Sequence, residues 1–325
     1  MSGTMFSSAM PYPFVAGRGL LQQAGRLIRE YAGELRRAVV LTDPTVRERW
    51  GDPLEAALCR ADIEVRWRLM DEWTDGTALG ERDGAEMLVG LGGGSVGAVC
   101  AMAARRGGID YVLLPTTLRF SLEEGVDERS GDCPPPLLVL CDTACFDTLP
   151  ERQLSDGMAS LVKYGVCFDR SLADALYGQA DLTEAVGRCA EIRASVRAAE
   201  KAGGTAADQQ DRLRFGHTVG GAIRRLFGAE FTPGEALAVG MVIEARSAVR
   251  AGLCRRDILP ELAGLLTYHG LPVAVDCSRE ELLAEIFRQK EAAGRRIRLA
   301  LPSKWGACAL HEFTAEELQG FLCLQ

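Results

Sequence analysis

Four short, uninterrupted apolar runs most constrain what this chain can fold into. Ala38–Leu41 reads AVVL, Met87–Leu91 MLVGL, Tyr111–Leu114 YVLL and Leu137–Leu140 LLVL. A strand without polar alternation is covered on both faces, as strands of a parallel sheet are. Ile63–Leu69 adds a fifth, alternating strand. Leu20–Leu35, Val46–Arg60 and Gly97–Arg106 carry apolar or small residues at helical spacing between them. Strand and helix in turn predict a parallel sheet with helices on both faces. From about Leu149 the pattern changes. Helical periods run through 155–165, 172–179, 182–201, 217–227, 234–251, 259–269 and 279–290, with one short apolar run at Ile297–Leu301. At roughly 100–200 residues per domain, a chain of 325 residues divides into an α/β domain over 1–150 and an all-helical domain over 151–325.

Charge narrows the partners. Lys plus Arg is 37 and Asp plus Glu 45, a net charge of −8. Such a surface repels phosphate backbones and anionic lipid, so neither nucleic acid nor membrane is expected as a partner. A local basic cluster could still take an anionic small molecule. The eleven cysteines include no C-x-x-C pair. Cys141 and Cys145 have helix spacing, but no His or second pair follows to complete a zinc site, so buried thiols in a reducing compartment are expected. The N-terminus MSGTMFSSAMPYPF has no basic segment ahead of an apolar core. No uncharged apolar stretch nears the ~18 residues of a bilayer span. The expected location is the cytoplasm.

Four segments could carry chemistry. Gly92-Gly93-Gly94-Ser95-Val96-Gly97 fits G-x-G-x-x-G after a strand and before a helix. Glycines let backbone approach a pyrophosphate, whose charge a helix N-terminus favours, so the first domain reads as Rossmann-like. The run lies on a later strand than the usual fingerprint, and no acidic residue follows about 20 positions on. A turn for close helix–sheet packing is the plainer reading. Thr116 and Thr117 follow the strand ending in Pro115. Two hydroxyls there face the ligand crevice of an open sheet, or are simple turn chemistry. His217 opens a helix in LRFGHTVGG (213–221), whereas His269 and His311 read as structural and solvated. Lys163 lies on the largely apolar helix GMASLVKYG (157–165), able to reach water or to hold an anionic group.

In this order the segments resemble the dehydroquinate synthase family of sugar-phosphate cyclases, which shares its fold with glycerol dehydrogenase and iron-dependent alcohol dehydrogenases. The resemblance runs from Tyr12-Pro13-Phe14-Val15 and VVLTDPTV (39–46) through LGGGSVGA (91–98) and LLPTTL (113–118). It continues in LVLCDTACFDTLPERQLSDGMASLVKYG (138–165), LRFGHTVGG, PGEALAVGMV (233–242) and RQKEAAGRRIRLALP (288–302). It implies an NAD-binding domain, a helical domain with a divalent zinc or cobalt ion, and a homodimer. It implies 3-dehydroquinate synthase activity in the shikimate pathway: bound NAD oxidises a phosphorylated sugar acid, phosphate leaves, and the product is reduced and closed to a carbocycle. The scaffold positions carried over for the cofactor are Asp43, Gly92, Gly93, Gly94, Thr116, Thr117, Thr148 and Leu149. Those carried over for catalysis are Lys163, His217 and Lys290.

The departures concentrate on the metal and the anion pocket. Of the family's Glu and two His ligands, only His217 remains; Ser160 and Pro233 stand at the others. Catalytic zinc needs about three protein ligands. The family's Asn is Arg214, its substrate His is Gly221, and its substrate lysine falls at Glu128-Arg129-Ser130. Ala98 replaces an Asp after the glycine run, Glu123 aligns with another, and Gly107 stands for an Arg beside Arg106. Only Lys290 survives of the D-K-K segment, and the ribose-binding segment is shortened around Asp71–Thr77. Three readings remain open. The chain could be a degenerate member pairing with an active paralogue. It could be an active cyclase using Glu123, Glu124, Arg129 and Arg214, or a metal-independent NAD-dependent dehydrogenase with His217 or Lys163 moving the proton.

Overall fold

The computed structural model describes residues 4–6, 12–70, 84–123, 134–178, 180–201, 211–291 and 296–324, without the side chains of 4–6, 199–201 and 289–291. The chain packs as two compact units. The first is Met1–Pro150 with Leu182–Ala194; the second is Glu151–Asp181 with Ser195–Gln325. The return of Leu182–Ala194 to the first unit is not foreseen from sequence, because nothing in a helical period says which core it faces.

In the first unit, β1 (Thr4–Phe6) pairs antiparallel with β2 (Phe14–Gly17). The rest of the sheet is parallel: β3 (Arg37–Thr42), β4 (Glu64–Leu69), β5 (Met87–Gly92), β6 (Asp110–Pro115) and β7 (Leu138–Asp142), in the order β1-β2-β7-β6-β5-β3-β4. β5 is buried along its whole length, as its unbroken apolar run requires. β2, which the helical and strand periods do not reveal, is a four-residue element held by parallel pairing from Phe14↔Val139 to Gly17↔Asp142. Four residues are too few for a period to register. α1 (Ala24–Ala32), α2 (Pro44–Cys59) and α3 (Gly94–Gly107) are the predicted crossover helices. Asp43 starts α2, its carboxylate accepting from Val46 N at 2.9 Å with Pro44 in the first turn.

Counted from β3, the five parallel strands take the doubly wound order 2-1-3-4-5, whose winding reverses between the first strand and the third. That switch lies between β3 and β5, which pair directly from Ala38↔Met87 to Leu41↔Gly90. Asp43 follows one strand and the glycine run closes the other. The glycine run, though on a later strand than the first, thus lies at the switch point.

The second unit is mainly helical. Its helices are α5 (Glu151–Cys167), α6 (Arg170–Ala175), the end of α7 (Leu182–Lys201), α8 (His217–Phe227), α9 (Pro233–Arg250), α10 (Ile258–Tyr268), α11 (Arg279–Glu291) and α12 (Ala315–Phe321). α9 is buried at almost every position from Gly234 to Ala248, as an all-round apolar helix must be. One expectation needs correction. The domain is not all-helical: Ile297–Leu301 belongs to β8 (Ile297–Lys304), paired antiparallel with β9 (Ala307–Phe313). Gly306, at φ 76°, makes the turn between them. β9 is half-exposed, and its short apolar run Ala307–Leu310 passes into polar His311 and Glu312. Among the described residues, no helix is long and apolar enough to cross a membrane.

Candidate functional site

In the first unit the candidate residues collect at the end of β5. Gly93 is the N-cap of α3 and brings no side chain to the first-turn N–H groups. The glycines divide by role. A Cβ on Gly97 would stand 2.0 Å from the Phe120 ring, and one on Gly92 2.6 Å from Val96 Cγ2, so both exist for close packing. A Cβ on Gly94 would meet nothing nearer than Phe120 at 3.8 Å. Packing does not require that glycine. Close packing thus accounts for Gly92 and Gly97 and not for Gly94.

The two threonines also separate. Thr117 Oγ1 accepts from Phe120 N at 3.3 Å and starts the short helix α4 (Leu118–Glu123). Thr116 N donates to Gly92 O at 3.0 Å, while its side chain, 3% exposed, holds an Oγ1 with no hydrogen-bond partner among the described residues. A buried hydroxyl left unmade is costly. The dinucleotide implied by the sequence fits here, on the uncapped helix start at the switch point and this orphaned hydroxyl beside Gly92. Thr148 and Leu149 belong to turn chemistry: Thr148 Oγ1 donates to Cys145 O at 3.1 Å and Leu149 N to Phe146 O at 3.1 Å. Arg49 of α2 donates to Thr148 O at 3.1 Å. Glu123 is engaged by Arg119 at 3.2 Å. Asp71–Thr77, Glu124 and Glu128-Arg129-Ser130 lie outside the described residues.

Sequence reasoning missed Asp142. Buried at the end of β7, it accepts from Gly19 N and Leu21 N at 2.9 Å each and from Ala144 N at 3.0 Å. An acidic residue closing an apolar run is the signal that could have found it. Cys141 and Cys145 are buried but share no helix: one lies at the end of β7, the other in the turn after it.

In the second unit, α5, α8 and α9 bring the three metal positions of the resemblance onto adjoining helices. Asp156 of α5 accepts from Gly234 N at the start of α9. Gly216 and Gly220 let α8 lie against α9, where added Cβ atoms would meet Met241 Cγ at 2.5 Å and Ala236 O at 2.8 Å. Ser160 and Lys163, three residues apart on one face of α5, are fully buried and 3% exposed. Lys163 therefore does not reach water. Its Nζ stands 5.4 Å from the Tyr164 ring centroid. His217 is the first residue of α8, its Nδ1 3.3 Å from Phe215 O. A carbonyl only accepts, so this contact places a proton on Nδ1. Pro233 fills the first position of α9 behind a capping box, Thr232 Oγ1 accepting from Glu235 N at 3.1 Å and Glu235 Oε2 from Thr232 N at 2.8 Å. Arg152 locks that start with two 2.7 Å contacts to Glu235.

This donor set does not fit the divalent metal that the resemblance implies. One imidazole remains, a buried serine hydroxyl is a poor zinc donor, and proline has none to offer. Among the described residues no group of three or more His, Cys, Asp or Glu could hold a metal ion. Arg288 is tied down too. With Arg225, whose Nε is 2.7 Å away, it contacts the buried carboxylate of Glu285. Lys290 lies on α11, its side chain outside the described set. Arg214 is exposed, His269 packs edge-on against Tyr268 at 5.1 Å as a structural residue, and His311 is half-buried in β9.

Glu244 is the second missed residue. Fully buried on α9, it accepts from Gly216 N at 2.8 Å and Val219 N at 3.2 Å, on either side of His217. Burial pushes its carboxyl up to about 8, against the pull of those backbone donors. A lone acid closing the apolar stretch Ala236–Ile243 was the available signal.

Comparison with known proteins covers both units. The pattern for the 3-dehydroquinate synthase C-terminal region matches residues 157–292, and that for iron-containing alcohol dehydrogenase matches 15–144. The 3-dehydroquinate synthase of Synechococcus sp. (strain CC9605) is 30% identical across 94% of this chain and 92% of its own. That of Caulobacter vibrioides (strain NA1000 / CB15N) is 31% identical across 89% of each. Among solved structures, 2-deoxy-scyllo-inosose synthase complexed with carbaglucose-6-phosphate, NAD+ and Co2+ superposes with a TM-score of 0.79, at 22% identity over 98% of both chains. ValA, a 2-epi-5-epi-valiolone synthase from Streptomyces hygroscopicus subsp. jinggangensis 5008 with NAD+ and Zn2+ bound, gives 0.76 at 21% identity, covering 96% of this chain and 95% of its own.

Proposed function

This chain belongs to the 3-dehydroquinate synthase family, and on that premise we propose that it is a member which keeps the nucleotide half-site and has given up metal-dependent cyclisation. The observation that carries the reading is the donor set on α5, α8 and α9, one imidazole at His217 between Ser160 and Pro233. Gly93, Gly94 and the start of α3 would hold the pyrophosphate of NAD, with the Thr116 hydroxyl taking one of its oxygens. When bound, NAD supplies a hydride acceptor and donor. The chain's own groups would bind and orient it. Lys163, buried beside Ser160, would hold an anionic group, and His217 Nε2 could take a proton from a nearby hydroxyl. Its macromolecular partner is a second copy of this chain or a metal-competent relative.

The test is phosphate release from the family's seven-carbon sugar phosphate with NAD and excess zinc or cobalt supplied. The expected rate equals the protein-free blank, and metal analysis of the purified chain finds well below one equivalent. Release above the blank, or a fully loaded metal, would restore the reading of an active cyclase. NADH should still bind, followed by the change in its fluorescence.

A further inference from the structure

Outside the candidate site, two buried cysteines far apart in sequence meet in the second unit. Cys167 is the last residue of α5 and Cys308 lies near the start of β9; their sulfurs are 2.9 Å apart. The neighbouring backbone fixes this meeting, for Gly306 N, in the hairpin turn, donates to Val166 O at 2.9 Å. The hairpin is thereby anchored on the end of the helix that carries Ser160 and Lys163. A disulfide has sulfurs about 2.05 Å apart, so the pair needs to close by roughly 0.9 Å. Neither thiol takes part in the proposed function.

We infer that Cys167 and Cys308 form an intramolecular disulfide when the protein meets a disulfide oxidant such as oxidised glutathione. The Cys308 thiolate attacks one glutathione sulfur and expels a glutathione thiolate. The Cys167 thiolate then attacks the Cys308 sulfur of the mixed disulfide and expels the second. Two electrons and the two thiol protons end on two molecules of glutathione, and one protein S–S bond is formed. Cys308 is the better entry point, 9% exposed against 3% for Cys167. Burial and the neighbouring Cys167 hold the Cys308 thiol well above its ordinary range, which slows the first attack at neutral pH and favours alkaline conditions. Cys254, also buried, adds to that rise and is the competing thiol.

The experiment oxidises the folded full-length chain with oxidised glutathione at mildly alkaline pH. It is then unfolded in N-ethylmaleimide and digested with trypsin and a glutamate-specific protease, which separates Cys308 from Cys323. The expected product is Tyr164–Arg170 joined to Trp305–Glu312, two hydrogens lighter than the separate peptides, with loss of two titratable thiols. It should persist in Cys254→Ala and vanish in Cys308→Ala. Recovery of both cysteines as maleimide adducts overturns the inference, as does finding either of them bonded only to another cysteine. Because the bond is mapped on the unmodified chain, the outcome does not depend on either variant folding.

Discussion

At the residue scale, chemically similar neighbours have different tasks, and substitution should separate them. Gly94→Ala adds a methyl in ordinary contact with Phe120, whereas Gly97→Ala drives one into that ring. The first should leave thermal stability nearly unchanged while weakening NADH binding at least tenfold. The second should cost about 1–3 kcal/mol in a denaturant titration, the usual penalty for overpacking. The threonine pair divides in the same way. Thr116→Val removes a hydroxyl without a partner and should not destabilise the fold, yet should lower NADH affinity several-fold. Thr117→Val loses the acceptor for Phe120 N and should cost about 1 kcal/mol. For the metal positions, Ser160→Glu combined with Pro233→His should bind about one equivalent of zinc where the parent binds less, read by metal analysis after gel filtration. Failure of a folded double variant to bind would mean that the helices no longer hold the three positions in ligand geometry.

At the scale of elements, one buried carboxylate holds the turn into α8. Glu244→Gln keeps an oxygen acceptor for only one of Gly216 N and Val219 N and should cost about 1–3 kcal/mol, whereas Glu244→Leu strands both donors and should cost several kcal/mol in equilibrium unfolding. Near α10 the pH dependence has a definite sign. Burial holds His269 below its ordinary 6.5, so the folded state favours the neutral ring. That stability is complete above the unfolded value and is lost as pH falls through the depressed folded one. Unfolding midpoints measured from pH 7.5 to 5 should therefore fall, and His269→Leu should flatten part of the decline. Elements differ in how plainly sequence announces them. β5 and α9 are legible because burial on all sides leaves a long, largely apolar signature. β2 and β9 are not, since one is too short for a period and the other is half-exposed, and each is held by a partner strand distant in sequence or by a turn glycine.

At the scale of the molecule, two cores should show as two responses. NADH binding only the first unit should raise that unit's unfolding transition by about 2.7 kcal/mol at a hundredfold excess over Kd, leaving the second transition, followed by hydrogen exchange in α8 and α9, where it was. Equal protection of both would show that the units unfold as one. Much of this architecture follows from the order of amino acids alone. Apolar runs and helical periods are local, so they mark most strands and helices, the change of character near Leu149 and the glycine run before α3. The resemblance to the family likewise implies that Ser160 and Pro233 stand where metal donors would. Tertiary structure alone decided the rest: that β3 lies beside β5 with Gly92 at the switch point, that Gly97 makes room for Phe120 while packing does not require Gly94, that the Thr116 hydroxyl has no partner among the described residues, and that Cys167 meets Cys308. Those are questions of which distant atoms become neighbours, and packing settles them after the local pattern has been spent.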